Sequence, residues 1–154
     1  MRILVIINST HRQNTLKIAE AMSEYAAMSI VEIDDAAKYN LGDYDIVGFG
    51  SGIYGGKFSK KILKLIDNNI EDIKNVFIFS TSGTGKEKYN QSLVDYLNAC
   101  GKNVLGSFTC KGLCKWFIFA LGGGLAKGHP DSEDFDAAQT FIEGVVERYN
   151  SLHA

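Results

Sequence analysis

Five short apolar runs punctuate this chain, at residues 3–7, 30–33, 44–50, 76–79 and 104–110, and segments of helical periodicity alternate with them. Runs of that length bounded by polar loops read as buried strands. Strand followed by helix, repeated, admits few folds. Parallel strands need crossover connections, and the crossover helices cover both faces of the sheet. Such crossovers are right-handed, so the natural arrangement for five strands is an α/β, doubly wound parallel sheet in the order 2-1-3-4-5. A chain of 154 residues is long enough for one domain of this kind over residues 1–154, with a substantial core.

The first helix is expected from Asn14 or Thr15 to about Ala27, with Ile18, Ala19, Met22 and Ala26 on one face. The second turns Phe58, Ile62, Leu65 and Ile66 inward. The third runs from about Lys86 to Cys100, buries Leu93, Val94 and Leu97, and stops at Gly101, a residue suited to the left-handed helix stop. The last follows the only proline, Pro130, with Asp131 or Ser132 as its cap and Phe135, Ala138, Phe141, Ile142, Val145 and Tyr149 as its apolar stripe.

The loop after the first run contains Ser9, Thr10, His11, Arg12, Gln13, Asn14 and Thr15 just where helical periodicity begins. Hydroxyl and amide residues after a strand often do no more than turn the chain and cap a helix. Three hydroxyls, side-chain amides and an Arg are more donors than a cap needs, and unpaired N–H groups at a helix start suit an anion. A phosphate monoester, with its roughly two negative charges and several acceptor oxygens, could use them all. No Gly-x-Gly-x-x-Gly follows the strand. Gly83-Thr84-Gly85-Lys86 lacks both the leading Gly and the Ser or Thr after Lys that a nucleoside triphosphate loop requires. The loops after runs three and four are similarly rich in Gly, Ser and Thr. In the expected strand order all three meet at one sheet edge, at the switch point between strands one and three where such folds bind ligands.

Hydrophobic residues make up 45% of the chain and charged ones 22%, the balance of a globular protein, and the formal net charge of −2 argues against general nucleic-acid binding. The N-terminal apolar run is too short for a signal peptide, and the longest run in the 116–121 stretch is far from a membrane span, so the expected setting is cytoplasmic. Cys100, Cys110 and Cys114 do not form a disulfide framework in such a chain. Cys110 and Cys114, four apart with no further ligands nearby, do not suggest a metal site either.

With these residues in view, the chain resembles the flavodoxin family over essentially its whole length. The resemblance rests on the hydroxyl-rich loop from Ser9 to Thr15, on Gly50-Ser51-Gly52-Ile53-Tyr54-Gly55, and on Ser80-Thr81-Ser82-Gly83. It implies FMN as cofactor. Ser9, Thr10, His11, Arg12, Asn14 and Thr15 would form the phosphate loop. Ser51, Gly52, Ile53, Tyr54, Gly55 and Gly56 would line one side of the isoalloxazine ring, and Thr81, Ser82, Gly83, Thr84 and Gly85 the other. It also implies a peptide after strand three that turns to hydrogen-bond reduced flavin at N5, with Gly55-Gly56 first candidate and Gly52 second.

The chain departs from the family pattern at several points. Many flavodoxins place Trp in the third-strand loop and Tyr in the fourth; here Tyr54 stands in the former, and no aromatic follows the latter until Tyr89. Tyr54 either stacks on the ring or sits on the surface, and Arg12 either clamps phosphate or points to water. Lys57, Lys60, Lys61, Lys86, Lys88, Lys111 and Lys115 fall in or just after the converging loops, where flavodoxins tend to be acidic. Each positive charge about 10 Å away through water would favour a reduced anionic flavin by roughly 0.4 kcal/mol before screening. The expectation is a less reducing low-potential couple or a partner with an acidic docking face; the alternative is that these lysines are solvated surface. Between strand five and the last helix, Trp116, Phe117, Phe119 and Leu121 are too apolar for an open loop. Residues 113–128 either cover the flavin edge as a lid, meet a second copy in a homodimer, or cover the core.

By this resemblance the expected function is an FMN-binding electron-transfer protein that shuttles low-potential electrons between redox partner proteins, with no catalytic residue of its own. The alternative is a small FMN-dependent reductase acting on a quinone or similar acceptor, with the aromatic segment as a pocket wall. A phosphorylated signalling receiver shares the strand order but needs an Asp pair after strand one and an Asp after strand three, where this chain has Asn8-Ser9 and Ser51-Gly52.

Overall fold

The computed structural model describes residues 1–9, 13–111 and 128–154. Expectations that fall on Thr10, His11 and Arg12, and on Cys114, Lys115 and the aromatic segment from Trp116, lie outside the described residues. Strands β1 (Ile3–Asn8), β2 (Ser29–Glu32), β3 (Ile46–Gly52), β4 (Asn75–Ser82) and β5 (Asn103–Lys111) are interleaved with helices α1 (Asn14–Tyr25), α2 (Lys60–Asn68), α3 (Lys88–Ala99) and α4 (Ser132–Leu152), except that β2 and β3 are joined by two short 3-10 segments, Ile33–Lys38 and Leu41–Asp43. The strands form one sheet in the order β2-β1-β3-β4-β5, and every pairing is parallel. This is the doubly wound order expected from the alternation.

The period of two in the strands sorts residues onto two faces. Val5 and Ile7 of β1 join Phe77 and Phe79 of β4 beneath α1 (Ile18, Met22) and α4 (Ala138, Ile142, Val145). Leu4, Ile6, Val76 and Ile78 point the other way, to Ile62 and Ile66 of α2 and Leu93 and Leu97 of α3. A strand covered on both sides has no polar face, which is why β1 reads as an unbroken apolar run. Two glycines in β3 make room for aromatics from β4: a Cβ on Gly48 would lie 2.3 Å from Cζ of Phe77, and one on Gly50 would lie 2.2 Å from Cζ of Phe79.

The structure moves several element boundaries. β3 starts at Ile46, not Tyr44, and extends past the apolar run to Gly52; β4 likewise continues to Ser82. Backbone pairing of Ser51 with Ser80 and of Gly52 with Thr81 carries the ladder into polar sequence, because hydrogen bonds between strands are indifferent to side-chain polarity. α1 ends at Tyr25, two residues short of the expected Ala27, where Ala26 turns extended. α3 starts at Lys88 instead of Lys86, and Gly85 ahead of it holds a left-handed φ of 62°. Its other end is as read: Gly101 is left-handed at φ 76°, and Lys102 N donates to Leu97 O at 3.0 Å, the Schellman closure. At α4, Asp131 and Asp134 form a reciprocal capping box.

Candidate functional site

The carboxyl ends of β1, β3 and β4 lie side by side, and two sets of hydrogen bonds weld the loops that leave them. Thr81, buried at the end of β4, is the centre of the first. Its hydroxyl meets that of Thr15, in the first turn of α1, at 3.0 Å, and its carbonyl accepts from Ile53 N at 3.0 Å. One residue thus ties the loop after β4 to the loops after β1 and β3. The second set runs underneath. Asn8 Nδ2 donates to Ser59 Oγ at 2.7 Å, Ser59 N donates to Ser51 Oγ at 2.9 Å, and the Ser51 hydroxyl donates to its neighbour's carbonyl, Gly52 O. Ser59 caps α2 by accepting from Ile62 N, so the start of that helix is locked to the end of β1.

The loop after β3 folds back as a tight turn. Tyr54 N donates to Lys57 O at 2.8 Å and Lys57 N to Tyr54 O at 3.0 Å, with Gly55 at φ 57° and Gly56 at φ 76° between them. Two successive left-handed residues define a turn that only glycine enters freely. A Cβ on Gly55 would meet nothing within 4 Å, so backbone conformation, and not crowding, calls for glycine there. Tyr54 reaches back over Gly52, where a Cβ would come within 3.1 Å of the phenol oxygen. The loop after β4 is held by Ser82 Oγ, which accepts from Gly85 N at 2.7 Å, and by Thr109 Oγ1, which donates to Gly85 O at 3.0 Å. Thr84 Oγ1 and the Tyr89 hydroxyl are 3.3 Å apart.

At the start of α1, Gln13 precedes the helix in a left-handed conformation (φ 55°) and makes no capping bond through its side chain; the first turn holds no acid. Ser9 Oγ accepts from Leu16 N at 3.4 Å, which leaves the hydroxyl proton directed elsewhere. The helix therefore begins with backbone donors and a positive dipole end that no carboxylate of its own answers. Glu32, at the end of β2, lies beside this loop and accepts from Ser9 N at 3.5 Å. Burial pushes its carboxyl above the usual 4.5, opposed by the Ser9 bond and aided by the nearby charges of Asp34 and Asp35.

Of the expected site residues, Ser9, Asn14, Thr15, the segment from Ser51 to Gly56 and the segment from Thr81 to Gly85 occupy this one edge. They are not equivalent there. Ser51 is fully buried and its hydroxyl is engaged on both sides, so only its backbone faces the loops. Thr15 and Thr81 are buried against each other. Gly55, Gly56 and Thr84 are exposed, and Ser9, Gly52, Ile53, Tyr54, Ser82, Gly83 and Gly85 are half-buried. Sequence reasoning missed Ser59, whose position just ahead of an apolar helical stripe is an N-cap signal, and Glu32, for which nothing local in the sequence points to Ser9. At the start of α4, beyond the end of β5, His129 Nδ1 sits 2.6 Å from Asp134 Oδ2 and 3.5 Å from Asp131 Oδ2. Burial, then the charges of Asp134 and Asp131, push the Cys110 thiol up to about 12, which disfavours its thiolate and fits a packing role.

The family described as Flavodoxin domain matches residues 5–111. An uncharacterized protein of Methanocaldococcus jannaschii is 38% identical over 148 residues, which are 95% of this chain and 99% of that one. Among solved structures, a flavodoxin from the domain Archaea superposes with a TM-score of 0.73 at 16% identity, covering 97% of this chain and 99% of its own. Oxidised flavodoxin 2 from Bacillus cereus gives a TM-score of 0.65 at 19% identity, covering 96% and 99%. The rubredoxin oxygen:oxidoreductase of Desulfovibrio gigas gives 0.69 at 11% identity, with 99% of this chain on 37% of that one.

Proposed function

The chain belongs to the flavodoxin domain family, and on that premise we propose that it binds FMN at the carboxyl edge of the sheet and shuttles low-potential electrons between redox proteins. The observation behind this is Thr81, whose hydroxyl and carbonyl draw the loops after β1, β3 and β4 together at one edge. Three loops so joined offer a phosphate site at one end and two walls for a flat ring at the other.

The residues fit the group. At the start of α1 the backbone donors and the Ser9 hydroxyl suit a phosphate, and Thr10, His11, Arg12, Asn14 and Thr15 complete the proposed phosphate loop. Gly52, Ile53, Tyr54 and the Gly55-Gly56 turn form one wall, and Ser82, Gly83, Thr84 and Gly85 the other. Bound FMN supplies the electron chemistry, and the protein tunes it. The Gly55-Gly56 peptide is placed at the exposed tip of its turn with no side chain on either flank, so it can rotate to present either its N–H or its carbonyl toward the ring at little steric cost. Ser51 acts one layer below, by fixing the start of α2 against the end of β3.

Purified protein is incubated with excess FMN, desalted, and titrated with dithionite while the visible spectrum is followed. Retained flavin bands that bleach in two one-electron stages are expected. A colourless protein overturns FMN binding. Retained flavin that takes both electrons in one stage and turns over with a nicotinamide donor and a quinone overturns the carrier in favour of a reductase.

A further inference from the structure

We propose that the face around this edge is a docking surface for an acidic electron-transfer protein, an inference that rests on the electron-carrier function proposed above. Lys57, Lys60, Lys86, Lys88 and Lys111 are all exposed. Among the described residues none of them lies within ion-pair distance of a carboxylate, whereas Lys61 is paired with Asp34 at 3.1 Å and Lys38 with Asp35 at 2.9 Å. Only Glu87 interrupts the five along the chain segments that bear them.

Contacts make the group continuous. Lys57 closes the Gly55-Gly56 turn, and a Cβ on Gly56 would lie 3.8 Å from the Tyr89 ring. Lys88 Nζ stands 5.7 Å from the centre of that same ring, and Lys111 Cγ would lie 3.3 Å from a Cβ on Gly85. The lysines therefore frame the two loops proposed to hold the flavin ring. Lys60 also runs against local preference, since it opens α2 at a helix end whose dipole is already positive and whose first turn contains no acid, while Lys88 opens α3 next to its N-cap residue Glu87. Lysine charge and the α2 dipole thus add at one edge, with Glu87 offsetting part of the charge at α3. Acidic Asp43, Asp45, Asp67, Glu71 and Asp72 lie in the segments that lead into the opposite ends of β3 and β4, whereas Asp34 and Asp35 after β2 and Asp131, Glu133 and Asp134 at the start of α4 flank the lysine-bearing loops on either side. The exposed lysines thus form a local positive patch around the loops after β3 and β4, which orients an approaching acidic protein toward the proposed flavin edge.

The full chain, with and without FMN, is titrated with cytochrome b5, an acidic haem protein, and with mitochondrial cytochrome c, a basic one; binding is read from amide shifts by NMR at low and high salt. The expected result is binding of cytochrome b5 at residues 54–57, 84–89 and 111, weakened about tenfold or more by salt, with cytochrome c binding more weakly. Lys57→Gln/Lys86→Gln/Lys88→Gln/Lys111→Gln weakens that binding by about tenfold or more, while Lys74→Gln/Lys102→Gln, at the opposite edge, changes it less than about twofold. Equal or tighter binding of cytochrome c, shifts that map to another face, or tighter binding of a DNA duplex than of cytochrome b5 would each overturn the proposal. The two inferences fail separately: docking on this face by a chain that retains no FMN removes the electron carrier, and retained FMN without charge preference removes the docking surface.

Discussion

Replacing Thr81 with Val removes one hydroxyl from the residue that joins the three loops and changes little else. Thr15 and Thr81 are 2% and 5% exposed, and their hydroxyls meet at 3.0 Å. Thr81→Val therefore strands the Thr15 hydroxyl in a site with little access to water. A buried hydroxyl left without its partner costs about 1–3 kcal/mol. For a chain of this size each kcal/mol lowers the melting temperature by roughly 2–4 °C, so a loss of about 2–12 °C is expected. Thr15→Val is expected to cost a similar amount. The double variant leaves nothing stranded, since both polar groups go and shape is preserved, and it is expected to be more stable than the sum of the single losses by about 1–2 kcal/mol. Urea unfolding of all four proteins supplies the cycle. The backbone bond from Ile53 N to Thr81 O survives every substitution, so the slope of unfolding free energy against urea should not change while the midpoint does. Single losses that simply add in the double variant, to within about 0.5 kcal/mol, would refute the coupling and with it the place of Thr81 as the joint between the loops.

Gly48→Ala sets a methyl 2.3 Å from Cζ of Phe77, a ring held by Phe79 on one side and by the edge of Phe141 on another. The expected loss is about 1–3 kcal/mol in a chemical melt, largely recovered by adding Phe77→Leu. The raised carboxyl of Glu32 sets a pH dependence. Because its folded value lies above the unfolded one, the stability linked to its proton is complete below 4.5 and is lost as pH rises through the folded value. Glu32→Gln should therefore raise the melting temperature at pH 7 and leave it unchanged at pH 4; an equal change at both would contradict the assignment. Thiol labelling of the native protein followed by peptide mapping should find Cys100, which is exposed, modified at pH 8 and Cys110 untouched until denaturant is added.

Much of this protein is written locally. The spacing of apolar runs and helical stripes determined five parallel strands and made 2-1-3-4-5 their natural order, because each strand buried on both faces must be apolar throughout and each crossover has one allowed hand. The same alternation put the Gly, Ser and Thr loops after β1, β3 and β4 at one edge. The Asp131 cap and the Gly101 stop were readable too, since caps depend on residues within one turn of the helix end. What the tertiary structure alone decided are relations between residues distant along the chain. Ser51 and Tyr54 look alike as loop residues, yet one spends its hydroxyl beneath the site and the other lies across Gly52. Thr15 and Thr81 are 66 positions apart, and Ser9 and Glu32 are 23 apart. No periodicity records such pairs. They form only when the packed sheet brings the ends of its strands together, and that packing also divides paired Lys61 from the unpaired lysines around the proposed flavin edge.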